Sequence, residues 1–128
     1  MAKYVYPAIL REENGKVYVR VPDLAGCNTV GENFADAIEM ARDAIEMWLC
    51  IAEDKREVVP AADLAVKTDV GMVTLIDADT DEYRRLTDNR AVKKTLTIPS
   101  WLNAKAEKAG INFSAVLRSA LEEQLDVR

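Results

Sequence analysis

The 128-residue chain contains no histidine, and so lacks both the commonest metal ligand and the commonest general base of neutral pH. Its two cysteines, Cys27 and Cys50, stand apart with no partner motif. Two isolated thiols exclude the dense disulfide framework of a small secreted fold and cannot complete a structural zinc site, so both read as small buried hydrophobes. No apolar run approaches the ~18 residues that cross a bilayer, and the stretch from Met1 to Pro7 has no signal-peptide core or cleavage site. These absences set the expectation of a cytoplasmic protein that works without membrane, metal or cofactor.

What is present is ordinary for a globular protein, 49% hydrophobic and 30% charged residues, but the charge is unevenly spread. Residues 91–128 carry six basic and four acidic groups, while residues 1–90 carry eleven basic and eighteen acidic ones. A body of net −7 with a tail of net +2 suggests two partners of opposite sign.

Along the body, Lys3–Leu10 reads as a strand, with Pro7 arguing for an edge position or a bulge. Asn14-Gly15 is a hairpin signal, and Val17, Val19 and Val21 then alternate with polar residues. Pro22 to Gly26 ends that strand, and a short third strand is expected over Cys27–Val30. Asn33 is placed to cap a helix, with Asp36 as its capping-box partner. Phe34, Ala37, Ile38, Ala41, Ile45, Trp48, Leu49 and Ala52 form one apolar face of five turns, opposite Glu39, Arg42, Asp43 and Glu46. A polar loop over Asp54–Thr68 and a strand over Met72–Asp77 complete a β-β-β-α-β domain, an antiparallel sheet with a helix on one face. Asp77 to Arg90 has no apolar stripe and reads as a linker or weak helical connection. The overall class is α+β, with domains at 1–80 and 92–128 joined by a linker at 81–91.

In the tail, Val92–Ile98 alternates as a strand, Leu96 and Ile98 on one face and Lys93, Thr95 and Thr97 on the other. Pro99 suits the first turn of a helix through Trp101, Leu102, Ala106 and Ala109, which Gly110 ends at its C′ position. Asn112 caps a second helix bearing Phe113, Val116, Leu117, Ala120, Leu121 and Leu125. One strand and two helices are too few to bury a core, and a lone strand leaves its backbone unpaired. A two-fold homodimer remedies both: strand pairs with strand, and four helices close over Leu96 and Ile98. The ribbon's other face, with Lys93, Thr95 and Thr97 from each chain, then fits the DNA major groove. Gly110 to Ser114 aims free N–H groups of a helix start at a phosphate.

The stretch VKKTLTIPSWLNAKAEKAGINFSAVLRSALEEQL resembles the ribbon-helix-helix superfamily along its whole length. The resemblance implies that Lys93, Thr95 and Thr97 read bases and that Asn112, Phe113 and Ser114 hold phosphates. Phe113 departs from a pattern that often has arginine there. The stretch GKVYVRVPDLAGCNTVGENFADAIEMARDAIEMWL resembles the N-terminal domain of HicB-family antitoxins, through Pro22-Asp23-Leu24, Gly26-Cys27, Thr29, Gly31, Ala37 and Ala41; Ala25 stands where that family often has proline. The two resemblances cover residues 3–53 and 92–125. They imply a partial ribonuclease H-like first domain and an antitoxin that masks a small basic ribonuclease toxin of the HicA type. They also imply repression of the shared operon through operator DNA, by a homodimer or a tetramer of the chain. Complementary charge would serve the first of these jobs, with Glu39, Asp43 and Glu46 as candidate acidic contacts.

Two other classes of function are open to the sequence. A free-standing repressor with a small-molecule-sensing first domain lacks any cluster of ligand-type residues. A nuclease would need several carboxylates converging on metal ions, and only Asp77 and Asp79, at a strand end, are placed to start such a set. Asp23, in a turn, reads as the acceptor of an Asx-type hydrogen bond. The chain is therefore not expected to be an enzyme.

Overall fold

The structure, a computed structural model, describes residues 3–127; Met1, Ala2 and Arg128, the outer ends of the two expected domains, lie outside the described residues. The chain divides into two compact units, Met1–Asn89 and Arg90–Arg128.

The first unit holds β1 (Lys3–Glu13), β2 (Lys16–Arg20), β3 (Asn28–Gly31), α1 (Phe34–Asp54), β4 (Met72–Asp79) and α2 (Thr80–Thr87). The strands form one antiparallel sheet in the order β3-β2-β1-β4, and α1 covers one face. Asn14 and Gly15 both take positive φ, 53° and 79°, as a two-residue hairpin turn demands. That tight turn lets the β1–β2 ladder run up to Glu13↔Lys16, so β1 extends three residues beyond the expected Leu10.

Pro7 lies in an interior strand, and the register shows how the sheet tolerates it. The pair flanking a two-residue turn is hydrogen-bonded, so Glu13, Arg11 and Ile9 direct their backbone groups to β2 and the even-numbered residues direct theirs to β4. Pro7 has the odd parity, and its missing N–H faces the side of β2, whose pairing begins only at Ile9. Pro7 thus sits where β1 is locally an edge, and no ladder bond is lost.

The core lies between sheet and helix. Tyr6, Ala8 and Leu10 of β1, Val17 and Val19 of β2, and Ile76 and Ala78 of β4 meet Ala37, Ala41, Ile45 and Leu49 of α1. The helix begins as the residues dictate: the Asn33 side chain accepts from the Asp36 N–H at 2.8 Å, and the Asp36 carboxylate accepts from the Glu32 N–H at 2.8 Å. β3 is shifted one residue from the expected span, to Asn28–Gly31, and its last residue is pressed on the helix. A Cβ at Gly31 would come within 2.4 Å of the Ala37 nitrogen, so only glycine allows β3 and α1 to approach this closely.

The acidic stretch after β4 departs most from expectation in this unit. β4 runs on to Asp79, and Thr80–Thr87 takes the helical of the two readings for this stretch, as a helix of the first unit. Polar contacts hold it. Asp79 caps it by accepting from the Glu82 N–H at 3.1 Å, and Arg84 reaches Glu53 at 3.0 Å, Asp54 at 2.9 Å and the Cys50 carbonyl at 3.2 Å. Glu53 also accepts from Tyr4 at 2.7 Å and from Thr80 at 3.2 Å.

In the second unit, α3 (Ser100–Lys108) and α4 (Phe113–Leu125) are joined by a tight cap. Gly110, at φ +70°, donates to the Glu107 carbonyl and Ile111 to that of Ala106, both at 3.0 Å, a Schellman arrangement. Pro99 stands at the N-cap, one position before α3. The expected strand over Val92–Ile98 has no ladder, because within a single chain it has no neighbouring strand to pair with.

The Glu53 network sets a pH dependence. Burial pushes the Glu53 carboxyl up, but the hydrogen bonds from Tyr4, Arg84 and Thr80 outweigh it and hold it below the ordinary glutamate value. The Tyr4 hydroxyl, bound to that carboxylate and partly buried, is pushed up to about 12. A depressed glutamate stabilises the fold above its unfolded value, and this is lost as pH falls through the folded one. A raised tyrosine stabilises below its ordinary value, and this is lost as pH rises toward about 12. Glu53→Gln is expected to remove the acid-side contribution and to cost about 1–3 kcal/mol at neutral pH. Denaturant titrations from neutral to acid pH check this; an unchanged acid slope would contradict it.

Candidate nucleic-acid interface

The site candidates all lie in the second unit, whose apolar residues are left uncovered. Among its described residues none is buried; Leu96 is 64% exposed, Ile98 47% and Val116 54%. The apolar side chains nonetheless converge. Lys94, Leu96 and Ile98 line a groove of about 600 Å³ together with Leu102 and Ala106 of α3 and Phe113, Val116, Leu117 and Ala120 of α4. Lys93, Thr95 and Thr97, which alternate with these residues in sequence, do not line it.

The structure therefore separates the six candidates. Lys93, Thr95 and Thr97 are exposed and stand outside the groove that Leu96 and Ile98 line. Asn112 works on its own helix: its side chain accepts from the Ala115 N–H at 3.1 Å and its carbonyl from the Val116 N–H. The Phe113 and Ser114 N–H groups, first in α4, have no hydrogen-bond partner among the described residues, so the start of α4 offers two free donors to an anion. The Phe113 and Ser114 side chains line the apolar groove. Phe113 thus belongs with the uncovered hydrophobic side chains, and only its backbone is available to a phosphate. Lys94, not among the candidates, stands at the same groove, a position readable from its parity with Leu96 and Ile98.

In the first unit, Glu39 and Asp43 lie exposed on α1, whereas Glu46 accepts from the Asp79 N–H at 2.8 Å and so is engaged in holding β4. Asp77 pairs with Arg42 at 2.9 Å, and that guanidinium's hydrogen bond and charge hold its carboxyl below the ordinary aspartate value. With Asp79 capping α2, each carboxylate of this strand end has a structural partner. Asp23 accepts from the Asp63 N–H at 3.0 Å, tying down the long loop rather than its own turn. Cys27 and Cys50 are buried free thiols, both pushed up by burial. Among the described residues no group of three or more acidic or thiol side chains is arranged to hold a metal ion, and no helix is long and apolar enough to cross a membrane.

Comparison with known proteins gives this architecture a family. The model of the HicB-like antitoxin of bacterial toxin-antitoxin systems matches residues 6–125. The chain belongs to that family. It is 34% identical over 65 residues to a UPF0150 protein of Synechocystis sp., spanning 50% of this chain and 82% of that one. Its fold is similar to a chain of a toxin–antitoxin complex from Streptococcus pneumoniae, with TM-score 0.58 and 22% identity over 95% of this chain and 99% of that one. It is also similar to the antitoxin HicB of Burkholderia pseudomallei, with TM-score 0.53 and 22% identity over 95% of this chain and 98% of that one.

The uncovered groove generates a direct expectation. Placing a charge in it, as in Leu96→Asp, should leave the first unit folded but abolish self-association through the second. Light scattering on the full chain would show the fall in mass. A variant with the mass of the wild type and with α4 amides as protected from exchange as in the wild type would mean that Leu96 does not sit in an interface.

Proposed function

We propose that this chain is an antitoxin that neutralises a small HicA-type ribonuclease toxin by direct binding and represses its own operon by binding operator DNA through a ribbon-helix-helix dimer. The observation that carries the DNA-binding half is the second unit's split surface. Its apolar side chains line an open groove with no buried residue, and Lys93, Thr95 and Thr97, which alternate with Leu96 and Ile98 in sequence, are exposed outside it. Two such units, paired strand to strand, would join their grooves into one core. They would leave a two-stranded ribbon with three polar side chains per chain, of a size that enters the major groove. The free N–H groups at the start of each α4 would hold phosphates flanking that ribbon and fix its register, while the ribbon side chains read sequence.

The toxin-binding half is supported by family membership and by charge. The residues up to Arg90 carry a net charge of −7, which favours encounter with a basic, RNA-cleaving partner. Exposed Glu39 and Asp43 on α1 are candidate contacts. The reading assigns no catalytic role to the chain: the carboxylates at the end of β4 are engaged with Arg42 and with the start of α2. It assigns the site to the homodimer, from which a tetramer would be built by a second contact.

Operator binding tests the proposal. Affinity for the chain's own promoter DNA should fall steeply with salt, because phosphate neutralisation releases counterions. Lys93→Ala should lower it, and Thr95→Ala and Thr97→Ala should blur base preference, each by about 1–3 kcal/mol. Wild-type affinity and preference in all three variants would remove the ribbon from the reading.

A further inference from the structure

We propose that two first units pair through the outer edge of β4, antiparallel and two-fold about Thr74. β4 is a terminal strand of the sheet, hydrogen-bonded only to β1. The parity that places Pro7 also orients β4. Its even-numbered residues bond to β1, so the N–H and C=O groups of Val73, Leu75, Asp77 and Asp79 point outward. Two observations agree with that orientation: the Asp77 carbonyl accepts from Arg42 Nε at 3.1 Å, and the Asp79 N–H donates to Glu46 at 2.8 Å. Side chains of α1 thus close the far half of the edge.

The near half is open. Among the described residues nothing bonds to the outward groups of Val73 and Leu75, whose side chains are 36% and 56% exposed. At the other end Gly71, at φ +82°, turns the chain away. The usable edge is therefore Met72-Val73-Thr74-Leu75-Ile76, five residues with no charge, no proline and no bulge, the devices by which edge strands ordinarily discourage pairing.

A second copy is the occupant that this edge fits. Two outward-facing residues, Val73 and Leu75, flank Thr74. Rotation about Thr74 sets Val73 against Leu75 of the partner and Leu75 against Val73 of the partner, two hydrogen-bonded pairs that satisfy every open group in the window. Thr74 then meets its own copy in the non-hydrogen-bonded pair at the axis, and the aliphatic Val73 and Leu75 side chains meet across the strands. A basic protein would find its attraction at the acidic surfaces of this unit, not at an edge window without charge. The pairing does not require the DNA-binding reading, and a dimer already formed through the second unit would strengthen it by raising local concentration.

The test is a disulfide trap in the full chain. Cβ atoms facing each other in a non-hydrogen-bonded pair lie about 4.5–5.5 Å apart, within reach of a disulfide. Thr74→Cys should give a covalent dimer under mild oxidation, at least about tenfold faster than Lys16→Cys, whose exposed position lies on the β1–β2 turn away from this edge. Adding Leu75→Lys to Thr74→Cys should suppress the cross-link while leaving the thermal melt in place, since Leu75 makes no buried contact in the single chain. Cross-linking of Thr74→Cys no faster than of Lys16→Cys, or undiminished by Leu75→Lys, would overturn the pairing. Operator binding by the same preparations reports separately on the ribbon, so the two readings fail independently.

Discussion

The constraint on which the rest depends is an imbalance in the last 39 residues. They supply Leu96, Ile98, Leu102, Ile111, Phe113, Val116, Leu117 and Leu121, enough apolar surface for a small core, and yet none of these side chains is fully buried within one chain. Each such side chain contributes about 1.5–3 kcal/mol only when fully removed from water. Two helices and an extended segment give one wall of a core, with nothing opposite. The groove has to be covered for this unit to be stable, and a second copy of the same wall is the simplest cover. The unpaired backbone from Val92 to Ile98 makes the same demand, and one two-fold axis meets both.

The first unit is built on the opposite principle, with its hydrophobic core complete within one chain. Sheet and helix close a core around Tyr6, Leu10, Ile45, Leu49 and Ile76, and the polar groups at its margin pair with one another. This difference fits a division of labour in a HicB-like antitoxin: an acidic unit with its own core, and a unit whose folding, on the proposed reading, would be coupled to self-association. On the proposed reading, coupling of that kind would make operator binding depend on chain concentration, as suits a protein that would regulate its own synthesis.

Much of this was open to reading in the residues, and the failures have physical causes. α1 was plain because its apolar positions recur at helical spacing and Asn33 caps it. The hairpin was plain because Asn14-Gly15 carries positive φ at little cost. α2 was legible only as one of two readings, because Arg84 anchors it to acidic residues on α1 some thirty positions earlier, and no local period records such a tether. Pro7 suggested an edge strand, whereas the sheet places it in an interior strand at a point where one neighbour has run out. At Phe113 the motif resemblance speaks for the backbone N–H, while the ring lines the groove with Val116 and Leu117. The β4 edge escaped notice because its openness depends on which way backbone groups point, a property of register and not of composition.

Hydrogen exchange across a dilution series is the most direct test of the central claim. If the second unit is half of a shared core, the amides from Val92 to Ile98 should be protected together with those of α4 at high chain concentration. All of them should lose protection on dilution, while β1 and α1 keep theirs. Ribbon amides equally protected at every concentration, or unprotected at all of them, would contradict the account.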